Sequence, residues 1–391
     1  MLDNSHTGAL ALYLHIPFCK TRCTYCAFNT YTHAEAHQPA YVAALCNELS
    51  WLGIATPLPL HTIFFGGGTP SLLDPSHIAN ILQTCQRAFQ ILPEPEITLE
   101  VNPFSAADGY FERIRAAGVN RLSIGMQSAH PSELRLMARD HDSQAVPRTV
   151  RAARAAGFTN INLDLIFGLP YQTLPMWQES LRIALDLQPQ HLALYALELE
   201  SGTVMTRDVG RGRLPLPDED LVAEMYETAD AMLTQHGLLQ YEISNWARPG
   251  FECRHNLQYW RNLPYLGVGA GAHGYANGMR YSIVRPIQRY IALASAQRAP
   301  MPFPFTASVE WHEQIDKSTA MLEHLLTGLR LVRQGVCESE FQARFGVRLL
   351  DVFGTPFQRL REQGLLEREG ETWRLTASAR LISNRVLAAL V

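Results

Sequence analysis

The chain has 391 residues, 47% of them hydrophobic and 18% charged, so it is long enough for one large domain and a smaller one. Its 33 basic and 37 acidic side chains give a formal net charge of -4, which excludes a general electrostatic attraction to nucleic acid. Seven irregularly spaced cysteines do not form a secreted disulfide framework, and no apolar run reaches the roughly 18 residues needed to span a bilayer. We therefore expect a cytoplasmic protein.

Short apolar runs alternate with amphipathic segments between residues 11 and 199. The runs, rich in β-branched and aromatic residues, predict strands at 11–16, 61–65, 96–101, 121–125, 160–167 and 191–197. Helical spacing predicts helices at 40–52, 76–91, 106–117, 143–156 and 174–187. This alternation indicates βαβ crossovers and a parallel sheet. Six units are too few for a closed eight-fold barrel, so we predict an α/β fold, a partial (β/α)6 barrel over residues 1–200.

Three cysteines, Cys19, Cys23 and Cys26, follow the first predicted strand. Three thiolates on a short loop can bind three corners of a [4Fe–4S] cluster and leave the fourth iron open. A zinc knuckle or a disulfide pair is the alternative interpretation. Zinc would need a fourth Cys or His nearby, and the other cysteines are isolated in the sequence: Cys46, Cys85, Cys253 and Cys337.

Other polar or glycine-rich segments also fall at the ends of predicted strands. Gly66, Gly67, Gly68 and Thr69 follow the second strand, and a glycine loop lets the backbone approach a ligand closely. Barrel enzymes place their chemistry at the carboxyl ends of the strands, where Glu100, Gln127 and Asp164 are also expected. Ordinary structural roles remain open: a salt bridge for Glu100, a solvated helix end for Arg139 and a cap for Asp164.

The second half of the chain is less periodic. We predict a barrel extension at 201–297 that contains the segment His255-Asn256-Leu257-Gln258-Tyr259-Trp260, and a proline-rich linker at 298–310. The glycine-rich segment 267–274 is assigned a structural role, because no amphipathic helix follows it. Residues 311–391 show four helical patterns and a hairpin at 365–375, which indicates a winged-helix-like domain. Its mixed charges argue against DNA binding.

The C-x3-C-x2-C spacing, with an aromatic residue before the last cysteine, resembles the cluster loop of radical S-adenosylmethionine (SAM) proteins. The resemblance implies a [4Fe–4S] cluster whose open iron is chelated by SAM, with the GGGTP loop at the SAM amino group. By similarity to the HemN-like branch, Tyr13 is expected near the sulfonium and Glu100 is expected to accept hydrogen bonds from SAM. Further pocket positions follow in the same way: Gln127, Arg139 and Asp164.

One position departs from the HemN-like dehydrogenases, which carry a fourth cysteine two residues beyond the third. Here that position is Phe28. The HNxxYW segment resembles instead the signature of the HemW branch, regarded as haem chaperones. That resemblance implies haem as cargo, with His255 as a candidate axial ligand. A hydrogen-bond cluster around His255 is the alternative.

The implied partners are haem, an electron donor and a haem-acceptor protein, for which a respiratory-chain protein is one candidate. Weak membrane association is expected only through that acceptor, and no nucleic acid is expected. Whether the chain is also an enzyme stays open, although the carrier is favoured. The enzyme alternative is an oxygen-independent coproporphyrinogen III dehydrogenase. A nucleic-acid-modifying radical SAM protein is disfavoured by the acidic balance.

Overall fold

The computed structural model of the protein describes residues 8–103 and 109–391. All six predicted strands of the first half are present, parallel and adjacent in chain order. They are β1 (Leu10–Ile16), β2 (Leu60–Gly67), β3 (Ile91–Val101), β4 (Arg121–Gln127), β5 (Ile161–Phe167) and β6 (His191–Ala196). The predicted parallel α/β fold is confirmed.

Helices connect these strands: α1 (Gln38–Ala55), α2 (Pro75–Ala88), α3 (Tyr110–Ala117), α4 (Pro131–Leu136), α5 (Ala145–Ala155) and α6 (Leu174–Asp186). Helix α2 shows how the sequence sets their limits. Asp74 accepts a hydrogen bond from the Ser76 N–H at 2.8 Å, and Pro75 occupies the first helical position. Residues 106–108 of the predicted helix 106–117 lie outside the described residues. Helix α4 was not predicted, because its single turn and a half is too short for a periodic signal.

The sheet is larger than the sequence predicted. It has twelve strands in the order β12-β11-β10-β9-β1-β2-β3-β4-β5-β6-β8-β7. The added strands are β7 (Leu239–Glu242), β8 (Asn245–Ala247), β9 (Tyr265–Val268), β10 (His273–Ala276), β11 (Met279–Ile283) and β12 (Val309–Gln314). Strand β9 runs parallel to β1. The predicted linker 298–310 ends inside β12, which pairs with β11.

The glycine-rich segment 267–274 is a strand end, a turn and a strand start. Gly267 lies in β9 against β10, and a Cβ atom there would be 1.8 Å from the His273 carbonyl oxygen. The glycine is therefore required by close packing of two backbones. The remaining helices of this part are α7 (Val204–Gly210), α8 (Glu219–Gln235), α9 (Arg254–Trp260) and α10 (Ile287–Ala296).

The C-terminal residues form a separate hydrophobic core that includes Leu325, Phe357 and Trp373. Its helices are α11 (Lys317–Gly328), α12 (Glu338–Phe345), α13 (Leu349–Glu362) and α14 (Ser383–Ala388). Its three-stranded antiparallel sheet consists of β13 (Val336–Cys337), β14 (Leu366–Glu369) and β15 (Thr372–Leu375). The predicted hairpin is present as β14 and β15, which together with the helices gives the winged-helix arrangement. Among the described residues, no helix combines the length and apolar character needed to cross a membrane.

Candidate functional site

The carboxyl ends of β1 to β6 surround a cavity of about 860 Å³. The structure brings most of the predicted site residues to its wall, namely Tyr13, Cys19, Cys23, Cys26, Phe28, Gly67, Gly68, Thr69, Glu100, Gln127, Arg139, Asp164 and His255. Gly66 stands next to this wall in β2, where an added Cβ would lie 2.8 Å from the Tyr13 ring and 3.1 Å from Glu100 Oε1. The volume of the cavity lies within the range of small-molecule sites.

The cysteine loop is fixed by backbone hydrogen bonds on both sides. The Cys19 N–H donates to the Tyr31 carbonyl at 3.0 Å, and the Tyr31 N–H donates to the Pro17 carbonyl at 2.8 Å. On the other side, the Thr24 N–H and hydroxyl donate to the carbonyls of Met137 and Leu136 at 3.2 Å and 2.9 Å. The loop is therefore tied to the end of β1 and to the segment after β4.

The cysteine sulfurs have donors suited to thiolates. The Thr69 hydroxyl lies 3.6 Å from Cys19 Sγ, and Arg139 Nη1 lies 3.6 Å from Cys23 Sγ. Burial raises the pKa of the Cys19 thiol to about 11, so the thiol is protonated until iron displaces the proton. The Arg139 Nε atom is buried with no hydrogen-bond partner among the described residues, so this guanidinium keeps one unused donor. These residues fit a [4Fe–4S] cluster.

Neighbouring protein atoms leave no space for side chains in the glycine loop, whether or not a ligand is bound. Gly67 has φ +112°, and a Cβ atom there would lie 2.5 Å from the His15 ring. A Cβ on Gly68 would lie 2.7 Å from the Phe18 carbonyl oxygen and 3.0 Å from Cys19 Sγ. The Gly67 N–H donates to Glu100 Oε2 at 3.1 Å. The loop therefore packs directly against the cysteine loop, which the sequence did not indicate.

Two acidic side chains face the same cavity. Burial, followed by the charge of Asp164, raises the pKa of Glu100 to about 8, against the opposing effect of the Gly67 N–H. Burial also raises the pKa of Asp164, although Asn162 and Ser123 donate hydrogen bonds to its carboxylate. Acids held in this way are suited to a positively charged ligand, because a nearby cation restores their ionised forms.

Gln127 and Arg139 are positioned by an irregularity at the end of β4. The register between β4 and β5 shifts between Gly125 and Gln127, and Gln127 has φ +63°. Arg139 Nη2 donates to the Gly125 carbonyl at 2.9 Å. The irregularity directs the Gln127 side chain to the cavity, and bulges of this kind are common beside active sites.

His255 is fully engaged within the protein. Its ring is 1% exposed, with Nδ1 at 2.8 Å from the Thr62 hydroxyl and Nε2 at 2.8 Å from the Tyr259 hydroxyl. Burial lowers the pKa of the imidazole to about 3. Because both ring nitrogens already have partners, His255 could bind haem iron only by giving up one of these hydrogen bonds, whereas the hydrogen-bond cluster needs no rearrangement.

The cavity is also lined by polar residues that the sequence analysis did not select. Asn162 donates to Asp164 and Ser123, and its side-chain oxygen lies 2.6 Å from His191 Nδ1. Arg121 also lines this wall. Polar residues two positions apart in otherwise apolar strands were the signal for them, because alternate side chains of a strand share one face.

Comparison with known proteins identifies the family. The Radical SAM superfamily model matches residues 13–184, and the HemN C-terminal domain model matches residues 315–382. A Mycobacterium tuberculosis protein named heme chaperone HemW is 37% identical over 384 residues, covering 97% of this chain and 94% of that protein. The heme chaperone HemW of Bacillus subtilis is 37% identical over 381 residues, covering 97% and 98%.

A solved structure confirms the fold. The coproporphyrinogen III oxidase HemN from Escherichia coli matches with a TM-score of 0.83 at 22% identity, covering 99% of this chain and 91% of that one. The fold and the cysteine loop define a radical SAM protein, a class that implies a [4Fe–4S] cluster and SAM. Within that class the chain belongs to the HemW family.

Proposed function

We propose that the protein binds haem and passes it to an acceptor protein. The observation that carries this proposal is the similarity to proteins named heme chaperone HemW, which extends over nearly the full length of both chains. Binding and release of a cargo require a site and an acceptor, and neither requires that the cargo be chemically changed. In this proposal the electron donor is needed only to reduce the iron–sulfur cluster.

The radical SAM core has defined parts in the proposal. Cys19, Cys23 and Cys26 hold the cluster, and Arg139 and Thr69 donate hydrogen bonds to the cysteine sulfurs. When bound, the cluster would supply an open iron that SAM can chelate and an electron that can pass to SAM. Glu100 and Asp164 face the cavity beside the glycine loop and balance the positive charge of SAM.

Phe28 supports the carrier over the dehydrogenase. Its side chain is 66% exposed at the edge of the cavity, at the position where HemN-like dehydrogenases carry cysteine. A phenyl ring can neither ligate iron nor exchange protons or electrons with a substrate. The likeness to the HemN structure, at 22% identity, concerns the fold and does not indicate the reaction.

The test compares the two activities in one preparation. The anaerobically reconstituted protein is titrated with haemin, and a separate sample is incubated with coproporphyrinogen III, SAM and a reductant. We expect a saturable Soret change near one haem per chain and unaltered coproporphyrinogen. Catalytic decarboxylation would overturn the carrier proposal, and so would the absence of saturable haem binding.

A further inference from the structure

A second cavity, of about 650 Å³, lies on the other side of the cysteine loop. Its wall is formed by that loop, by helix α9 and the segment after it, by strands β9 to β11, and by helix α11. The two cavities share the side chains of Tyr13, Ala27, Phe28 and Tyr259. The second cavity is therefore adjacent to the cluster site but contains none of its three cysteines.

Aromatic side chains dominate the wall of this cavity. Phe28 contributes a largely exposed ring from the cysteine loop, and α9 contributes Tyr259 and Trp260. Strands β9 and β10 contribute Tyr265 and Tyr275, which are opposite each other in the register. Flat rings of this kind pack well against the face of a large planar ligand.

An accessible imidazole lies in the same wall. His273 is directly opposite Ser282, and Tyr275 is opposite Arg280, so these alternate side chains share one face of β10 and β11. His273 is exposed and has no hydrogen-bond partner among the residues that the structure describes. Burial, followed by the charges of Arg285 and Arg280, lowers the pKa of His273 and favours the neutral form that binds metals.

The other histidine in this wall is not available. His15 is 5% exposed, with Nδ1 at 3.2 Å from the Tyr13 hydroxyl and Nε2 at 2.9 Å from the Asn29 carbonyl oxygen. Both of its ring nitrogens are thus engaged, as they are in His255. Of these three imidazoles, only His273 combines exposure with a free nitrogen.

Positive charge is also available at the cavity. Arg280 is paired with Glu323, whereas the exposed Arg285 has no ion pair within the described ranges. The Arg285 backbone carbonyl accepts hydrogen bonds from Asn29 and Tyr31 of the segment after the cysteine loop, at 3.0 Å each. These bonds fix the Arg285 backbone at the cavity, and a guanidinium at this wall can bind a carboxylate.

We propose that the second cavity is the haem site, with the His273 imidazole as axial ligand to iron and Arg285 at a propionate. Phe28 and Trp260 lie against the macrocycle. This inference rests on the proposed function, since it assigns the site for the same cargo. It also replaces His255, which sequence reasoning had selected, with a histidine of the segment 267–274, to which sequence reasoning gave a structural role.

The experiment is a haemin titration of the reconstituted full-length protein followed by absorption and resonance Raman spectroscopy. His273→Ala should lose the ligand-bound Soret band and weaken haemin binding at least about tenfold, because an axial bond is removed. Free imidazole added to that variant should restore the spectrum. Arg285→Glu should weaken binding several-fold while the His-ligated spectrum is kept.

The matched control is His312→Ala. His312 is an exposed histidine on the neighbouring strand β12, opposite Tyr281, on the other face of the sheet, and its variant should bind haemin as the unaltered protein does. An intact cluster chromophore in each variant reports that the fold is kept. If the unaltered protein binds haemin and His273→Ala gives the same spectrum and affinity, the site assignment is wrong while the proposed function stands. Failure of the unaltered protein to bind haemin contradicts the proposed function itself.

Discussion

At the scale of single residues, burial decides what each titratable side chain near the cavity can do. His255, His15 and His273 all lie within two neighbouring cavities or their walls, yet only His273 is exposed and unbonded. The resemblance of the HNxxYW segment to the HemW signature selected His255 as a candidate ligand, with Tyr259 and Trp260 as aromatic neighbours. The structure shows that Tyr259 occupies the nitrogen that iron would need.

The first prediction concerns the cluster ligands. Replacing Cys19, Cys23 or Cys26 by alanine should abolish the brown cluster chromophore after anaerobic reconstitution, because two thiolates do not retain a cubane. Cys46→Ala and Cys337→Ala are the controls, since both thiols lie outside the cavity lining. The measurement is iron and sulfide analysis together with the absorption spectrum. A cluster that persists without Cys23 would contradict the ligand assignment.

The second prediction concerns His255 and pH. Its folded pKa of about 3 is below the roughly 6.5 of an unfolded chain, so the unfolded state binds the additional proton between these values. This histidine therefore makes the free energy of unfolding decrease as pH falls from about 6.5 towards 3, by up to about 1.4 kcal/mol per pH unit. Burial also lowers the pKa of His191 well below its usual value, so NMR of labelled histidine should show more than one imidazole that stays neutral through this range, with the His255 signal among them. The signal should be missing in His255→Gln, and a His255 signal that titrates near pH 6.5 would contradict its burial.

The third prediction concerns Gly67. Gly67→Ala should destabilise the protein by about 2 kcal/mol or more, because the new Cβ combines φ +112° with a 2.5 Å approach to the His15 ring. Gly157→Ala is the matched control: φ is +88° there, but nothing lies within 4 Å of the added atom, so only the roughly 1 kcal/mol backbone term remains. Urea unfolding of both variants gives the comparison. Equal destabilisation would show that the contact with His15 is unimportant.

At the scale of elements, the start of helix α9 depends on one carboxylate from another strand. Glu96 of β3 accepts hydrogen bonds from the backbone N–H groups of Arg254 and His255 at 3.1 Å and 3.0 Å. Helix N-termini carry unpaired N–H groups, and a carboxylate there also interacts favourably with the helix dipole. Glu96 thus fixes α9, and through it the wall between the two cavities.

The fourth prediction follows from that contact. Glu96→Ala should lower the free energy of unfolding by about 1–3 kcal/mol, because one buried and one partly buried N–H donor lose their acceptor. Glu94→Ala, at an exposed position of the same strand, should change stability by less than about 0.5 kcal/mol. Thermal unfolding of both variants is the measurement. If the two variants have the same stability, Glu96 does not hold the helix.

Elements also show which parts of the fold could be predicted. The strands β1 to β6 were predicted correctly because apolar runs of buried strands can be recognised in the sequence alone. Strands β7 to β12 were missed because they have only three to six residues. In addition, β8 and β9 join the sheet through β6 and β1, which are distant in sequence. In β12 the last five residues are exposed, so no apolar pattern marks that strand. The cysteine loop was found by the spacing of its cysteines. The hydrogen bond between His255 and Thr62 could not be predicted, because the two residues are far apart in the sequence.

At the scale of the whole molecule, the C-terminal core is joined to the barrel by arginine contacts. Arg344 donates to the backbone carbonyls of Arg261 and Asn262, at 3.1 Å and 2.5 Å, just beyond helix α9. Arg330 lies over the Trp260 ring at 5.6 Å. Both contacts meet the segment that carries the wall of the second cavity, so the C-terminal core supports that wall.

The fifth prediction tests this connection. Arg344→Met should keep an unbranched side chain, although a shorter one, but remove both donors, and the two carbonyls would then lose charge-assisted hydrogen bonds. We expect faster limited proteolysis between the barrel and the C-terminal core, together with a thermal transition that begins at lower temperature. Arg333→Met, an exposed arginine of the same core, is the control. Identical cleavage patterns would show that other contacts hold the two parts together.

The sheet is open, and the edge strand β12 bears on how the protein behaves at high concentration. Unpaired backbone groups along an exposed strand invite edge-to-edge pairing with another copy, which leads to polymers. Strand β12 presents Glu310 and Glu313 among its exposed residues, and negative charge repels an identical edge. These two carboxylates thus protect the colloidal stability of the purified protein. Attempts to improve its expression or crystallisation by surface mutation should leave them in place.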